Sequence, residues 1–247
     1  MTSGKRITNR GDWPGPVVLR SGWWKGVCRR LNDESDDVVL RVERGSVEFL
    51  DRCVQWAADE GAPAVWSPPL PATSAGMWRS AGFSPDRRLA MMERDLGVPV
   101  PAAEQEAREG TTADLHRAAL LDRDAFDGIW RMGRVGLEDA MTATPRSMLL
   151  VAENDQAEQT AFAIIGVAIH ASYLQRIAVD PRWQGRGIGR DLLRRSMIWA
   201  RSAGARTMLL NTQMDNHSAA ALYRSEGFVS LPNGLTLYRR STQDPHT

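Results

Sequence analysis

The chain has 247 residues, a length that fits one large domain or two small ones. Its 31 Lys and Arg stand against 30 Asp and Glu, so net charge gives no drive toward nucleic acid or another polyanion. Hydrophobic residues at 43% and charged residues at 25% are ordinary for a soluble globular core. Cys28 and Cys53, the only cysteines, form neither a disulfide framework nor a metal-ligand spacing. No metal site is expected, and no run is long and apolar enough for a membrane span. The opening "MTSGKRITNRGDWPG" lacks the apolar core of a signal peptide, so the expected setting is reduced and cytoplasmic.

In chain order, "SGWWKG" places Trp23 and Trp24 together, where they could bind an acceptor but more simply are expected to be buried in packing between domains, and "DDVVLRVE" reads as a strand. "WAADEGAPAVW" reads as a helix end, a glycine stop and a buried strand. "WRSAGF" repeats that helix-stop grammar and runs into the strand-like "RRLAMMERDL". Phe49, Leu50, Trp56, Val65, Trp66 and Phe83 supply an apolar pattern sufficient for a core. "GVPVPAAEQEAREGTT" is Pro-rich and then polar, and is expected to be a linker over residues 97–111.

Beyond it, "TADLHRAALLDRDAF" is expected to be a helix with Leu115, Ala119 and Phe126 near one face, and "VGLEDAMTA" a second helix. "SMLLVAEN" and "AFAIIGVAIHASY" are two strands joined by "DQAEQT", with "LQRIAVD" a third. "PRWQGRGIG" leads into a helix with Ile188, Leu192, Ser196, Trp199 and Ala203 on one face. Strand "TMLLNT" and helix "HSAAALYRSEG" follow, and the sequence predicts a closing hairpin, "FVSL-PNG-LTLYRR", turning at Asn233 and Gly234. The sum is an α/β or α+β fold on a mixed sheet.

Two phrases recur. "WARSAGARTML" from Trp199 matches "WAADEGAPAVW" from Trp56, and "YRSEGF" from Tyr223 matches "WRSAGF" from Trp78 after a two-residue slip. A period this long indicates two related domains rather than a solenoid. Residues 1–96 would be the first copy and residues 112–247 the second.

"QGRGIG", Gln184–Gly189, sits between a strand and a helix start. Glycines allow a sharp turn and a close approach, and the first amides of a helix have no internal partner, so such a turn suits a phosphate group. Arg182, Arg186 and Arg190 could add charge. The pattern is neither G-x-G-x-x-G nor a P-loop. "IAVDPRWQGRGIG" followed by "NHSAAALYRSEGF" resembles the GNAT superfamily, the acetyl-CoA-dependent N-acetyltransferases, over the second half of the chain.

That resemblance implies a GNAT-like, mostly antiparallel sheet flanked by helices, with acetyl-CoA as cosubstrate and a primary amine as acceptor. It implies that Gln184, Gly185, Arg186, Gly187, Ile188, Gly189 and Arg190 hold the coenzyme pyrophosphate. The backbone of Ile177, Ala178 and Val179 would hydrogen-bond the pantetheine arm, and Asn216 would contact the coenzyme, a role compatible with capping the next helix. Tyr223 would be the catalytic proton donor to the departing sulfur. An alkylammonium acceptor must also lose a proton. The position where N-terminal acetylating relatives carry a Glu holds Asn211, and Asp127, Glu138 and Asp139 on the acceptor side read as solvating carboxylates, as His217 reads as a solvated first-turn residue. No general base is legible.

In the first copy, "RVERGS", Arg41–Ser46, stands where the glycine loop should be, with Glu43 facing the phosphate position. Trp78 replaces Tyr223, and the Asn216 position falls near Pro71. The resemblance therefore implies a tandem protein whose truncated first copy cannot use acetyl-CoA. A different class of function, an acyl-CoA-binding sensor without turnover, is the alternative that the missing base suggests.

Overall fold

The computed structural model describes residues 7–243. The extreme N-terminus read above for a signal sequence lies in part outside those residues. The chain forms two compact units, Met1–Leu89 with Asn233–Thr247, and Ala90–Pro232.

The first unit contains β1 (Thr8–Arg10), β2 (Val17–Ser21), β3 (Trp24–Arg30), β4 (Val38–Arg44), α1 (Val47–Asp59), β5 (Ala64–Trp66), α2 (Gly76–Ser80) and the start of β6 (Ser84–Asp95). β1 to β4 are antiparallel neighbours, and β4 then pairs parallel with β5 across the α1 crossover. Helix α1 presents Phe49, Leu50, Cys53, Val54 and Ala57 to a core that includes Val17, Leu19, Leu40 and Trp78.

The second unit contains the rest of β6, β7 (Arg108–Glu109), α3 (Leu115–Ala125), α4 (Gly133–Thr142), β8 (Arg146–Glu153), β9 (Gln159–Ala168), β10 (Ala171–Val179), α5 (Ile188–Ser202), β11 (Thr207–Gln213), α6 (His217–Ser225) and β12 (Val229–Ser230). Its strand order is β6-β11-β10-β9-β8-β7, antiparallel from β10 to β7, with β10 and β11 parallel. β9 is buried almost throughout, and its alternation builds two cores. Phe162 and Ile164 lie with α3 and α4, while Ala161, Ala163, Ile165 and Val167 lie with α5. Helices thus cover both faces, which is why this strand is continuously apolar rather than alternating with polar residues.

Both units contain one succession of elements, three antiparallel strands, a helix, a parallel strand, a helix and a strand: β2–β4, α1, β5, α2 and β6 in the first, β8–β10, α5, β11, α6 and β12 in the second. The repeated phrases also make the same bonds. Gly61 and Gly204 take φ of 84° and 93°, and Ala62 and Ala205 donate back to Ala57 and Ala200 at 2.9 and 3.0 Å. Phe83 and Phe228 each donate to the aromatic five residues before, Trp78 and Tyr223, at 3.0 Å. These are glycine-terminated helix ends, and they explain why the letters around Gly recur while the aromatic is free to change.

Four expectations are corrected. The closing hairpin does not form: β12 pairs with Met92 and Glu93 of β6, whereas β13 (Leu235–Ser241) belongs to the first unit and pairs with β5 and with Ser84–Leu89 of β6. Asn233 and Gly234 turn the chain out of one antiparallel pairing and into the next, because β6 is long enough to take two partners end to end. The boundaries 1–96, 97–111 and 112–247 therefore differ from the compact units, with residues 233–241 in the first. Residues 97–111 are not a free linker: they lie within the second unit, Val100 and Ala107 packing on its core and β7 pairing with β8. Finally, "AFAIIGVAIHASY" is two strands, because the chain turns at Ile169 and His170 and β10 begins at Ala171.

Candidate active site

The site grows from the β10–α5 connection. Asp180 closes β10 by accepting the Arg182 amide at 2.9 Å and pairing with the Arg182 guanidinium at 2.6 Å. That guanidinium holds the Asp180 carboxyl below its ordinary pKa. Pro181–Trp183 makes one 3-10 turn, and Gln184 Nε2 donates to the Val179 carbonyl at 3.1 Å. Gly185 and Gly187 then adopt φ of 76° and 86°. A Cβ on Gly185 would meet nothing within 4 Å, so backbone conformation rather than crowding demands glycine there. Gly187 is the N-cap of α5 and supplies no capping side chain. Its carbonyl takes the amides of Arg190 and Asp191 at 2.9 and 3.1 Å, so those of Ile188 and Gly189 precede the first intrahelical bond. The result is a pair of amides ahead of the first intrahelical bond, at the positive end of a long helix and without a side-chain cap, which suits an anion.

β10 offers the second element. It follows β9 from Ala171 to Val179, but it pairs with β11 only over Ala171–Leu174. Its ladder with β9 is irregular between Leu174 and Arg176, and from there β10 and β11 part. Ile177 and Ala178 therefore have one backbone edge without a strand partner from β11, the kind of edge an extended ligand can join.

Tyr223 is the third. It lies on α6, 5% exposed, with its ring 5.9 Å from Phe228. Burial pushes its phenol up from 10.0 to about 12, against a smaller lowering by the positive charge of Arg176. The phenol is thus a proton donor across the neutral range and cannot serve as a base there. Spectrophotometric titration of tyrosinate should show Tyr223 ionising above pH 11, with that component gone in Tyr223→Phe; ionisation of every tyrosine near pH 10 would contradict the burial argument. The linkage has a definite sign: the pKa is raised on folding, so this contribution to stability is complete below pH 10 and is lost as pH rises through about 12.

The other expected residues divide. Asn216 caps α6, its Oδ1 accepting the Ala219 amide at 3.0 Å. Arg186 stacks over Trp183 at 4.6 Å, and Arg190 approaches the buried Glu226 carboxylate at 3.4 Å. Glu226 also takes two bonds from Arg194 at 2.9 Å, and its carbonyl takes one from Arg94. Asp127 is fully exposed, 3.9 Å from Arg131, and Glu138 is paired with Arg134 at 2.8 Å.

Sequence reading missed Asp122 and Arg176. Asp122 is 0% exposed, and its two oxygens accept Arg176 Nε at 2.5 Å and the Met132 amide at 2.7 Å. Arg176 also donates to the Trp130 carbonyl at 2.6 Å and lies 3.5 Å from the Phe126 ring centroid. The pair ties β10, beside Ile177, to the α3–α4 connection. The available signal was Asp122 lying among Leu115, Ala118 and Leu121 on the buried side of α3.

The equivalent place in the first unit is built differently. β4 passes into α1 through Gly45 and Ser46 alone, and Ser46 Oγ accepts the Phe49 amide at 3.2 Å. A side chain already fills that helix end, and Glu48 adds negative charge to its first turn. Trp78 is buried against Phe83 with ring centroids 4.8 Å apart.

The acetyltransferase (GNAT) family matches residues 115–228. Over 71 residues the chain is 45% identical to the N-alpha-acetyltransferase RimI of Mycobacterium tuberculosis, covering 29% of this chain and 43% of that protein. It is 39% identical over 71 residues to the [ribosomal protein bS18]-alanine N-acetyltransferase of Escherichia coli, covering 29% and 48%. The chain spans less than half the length of these relatives. A tandem GNAT protein from the clavulanic acid biosynthesis pathway shares the fold with a TM-score of 0.64 at 11% identity, over 94% of this chain and 83% of that one. No helix among the described residues is long and apolar enough to cross a membrane.

Proposed function

We propose that the second unit, whose residues 115–228 match the acetyltransferase (GNAT) family, is an N-acetyltransferase that takes acetyl from acetyl-CoA to a primary amine by direct attack in a ternary complex. The observation that carries this is the uncapped, glycine-led N-terminus of α5 following a strand whose edge β11 has released. Acetyl-CoA brings a thioester whose thiolate is a good leaving group. The amides of Gly185–Gly189 would hold its pyrophosphate, with Arg186 and Arg190 nearby, and the edge of Ile177–Val179 would align its arm. Asn216 would keep the start of α6 in place. Tyr223, protonated at neutral pH, would deliver a proton to the departing sulfur.

The acceptor that suits this site is an α-amine. With an amide at Asn211 and solvated carboxylates at Asp127 and Glu138, an acceptor that sheds its own proton is favoured. An α-amino group has a pKa of about 7.7–8.0, against about 10.4 for lysine. The relatives named for protein N-terminal acetylation are consistent with that class. The first unit reads as a retired copy of the same fold, kept for structure.

Calorimetry with CoA, and thiol release from acetyl-CoA over free-N-terminal peptides, lysine peptides and small amines, tests the reading. CoA binding with thiol release on α-amine peptides is expected. Binding without release on any acceptor would favour a coenzyme sensor. Gly187→Glu should abolish binding, because it brings bulk and negative charge to the anion site at a φ that costs a side chain about 1–2 kcal/mol.

A further inference from the structure

The segment expected to be a linker carries chemistry of its own. Gln105 is exposed, yet it is held on three sides. Its amide donates to Asp191 Oδ2 at 3.2 Å, and the neighbouring Glu104 amide donates to Asp191 Oδ1 at 3.1 Å. Its carbonyl accepts Arg195 Nε and Nη2 at 3.0 and 2.7 Å. The adjacent Arg194 donates to the Ala102 carbonyl at 3.0 Å. Asp191 is 6% exposed and spends both oxygens on these amides. Helix α5 thus straps residues 102–105 along its own first turns.

So anchored, Gln105 reaches the glycine turn: its Nε2 donates to the Arg186 carbonyl at 2.7 Å. The same Nε2 is 3.4 Å from where a Cβ on Gly187 would stand. The Arg186 carbonyl and the Gly187 N–H share one planar trans peptide, so they point in opposite directions. A donor that fixes the carbonyl therefore fixes the N–H, aiming it away from the strap. It also polarises that peptide, making the N–H a stronger donor. Glycine at 187 is conformationally loose, and this peptide would otherwise be free to rotate.

We propose that Gln105 is a positioning residue for the coenzyme site, presetting the Gly187 amide that receives a pyrophosphate oxygen. This rests on the acetyl-CoA reading above. The strap makes the 97–111 segment part of the binding site rather than a tether.

The test pairs two ligands that differ in the phosphate portion. Gln105→Leu keeps the bulk and removes the donor; Gln105→Glu places a carboxylate oxygen against the Arg186 carbonyl. Gln105→Leu should raise the calorimetric Kd for CoA about 5- to 10-fold, the range of one hydrogen bond. Gln105→Glu should weaken it further. The KM for acetyl-CoA should rise with kcat unchanged, and kcat/KM with S-acetylpantetheine, which lacks the pyrophosphate, should stay within about twofold of wild type. Equal CoA affinity in wild type and Gln105→Leu would overturn the proposal alone, as would an equal loss with S-acetylpantetheine. A wild-type protein that binds no CoA would overturn the acetyl-CoA reading and this inference with it.

Discussion

Tyr223→Phe is expected to lower kcat for acetyl transfer by about 10²-fold or more, with CoA affinity within about twofold of wild type. The substitution deletes one hydroxyl and keeps the ring that packs on Phe228, so α6 and the glycine stop after it should hold. The change falls on kcat because the proton is needed only as the carbon–sulfur bond breaks, which is stabilisation confined to the transition state. Burial raises the phenol to about 12, so it stays protonated well into the alkaline range. Hence the alkaline side of the rate profile should not show loss of this group below pH 10. Unchanged turnover in Tyr223→Phe would remove Tyr223 from the chemistry and leave it a core aromatic, as Trp78 is in the first unit.

The second large effect is on stability. Asp122→Ala should destabilise the second unit by about 3–5 kcal/mol, because it leaves the Arg176 guanidinium buried without its counter-charge. The same change strips the Met132 amide of its acceptor. Replacing the pair together, Asp122→Leu with Arg176→Met, should recover most of the loss, since a well-packed apolar pair of similar volume is often as stable as a buried ion pair. Denaturant unfolding of Asp122→Leu, Arg176→Met and the double completes a cycle. A loss below about 1 kcal/mol in Asp122→Ala would mean that Arg176 is adequately served by Trp130 and Phe126 alone.

What could be read from the chain was local. Gly61, Gly204, Gly82 and Gly227 each end a helix, and their signatures survive in the letters around them because the bonds span only five residues. The glycine turn at 185–189 and the Asn216 cap were legible for the same reason. What could not be read depends on partners far apart in sequence. "FVSL-PNG-LTLYRR" has every local mark of a hairpin, yet β12 and β13 both find β6, a choice made by strand edges that no turn sequence encodes. Asp122 looks like an ordinary helix carboxylate until Arg176 is folded beside it, and Gln105 like filler in a polar stretch until α5 gathers it in.

The placement of β13 has a consequence for how the protein is made. Tyr238 sits in the first unit's core, and Arg240 reaches Asp51 and the Ala81 carbonyl in that unit at 2.5 and 2.7 Å. The ribosome supplies these residues only after it has translated the whole of the other unit. The half that emerges first therefore cannot finish folding first. It must wait with the edge of β5 open, the exposure that invites wrong pairing during synthesis. The second unit, Ala90–Pro232, owes no such debt to later residues.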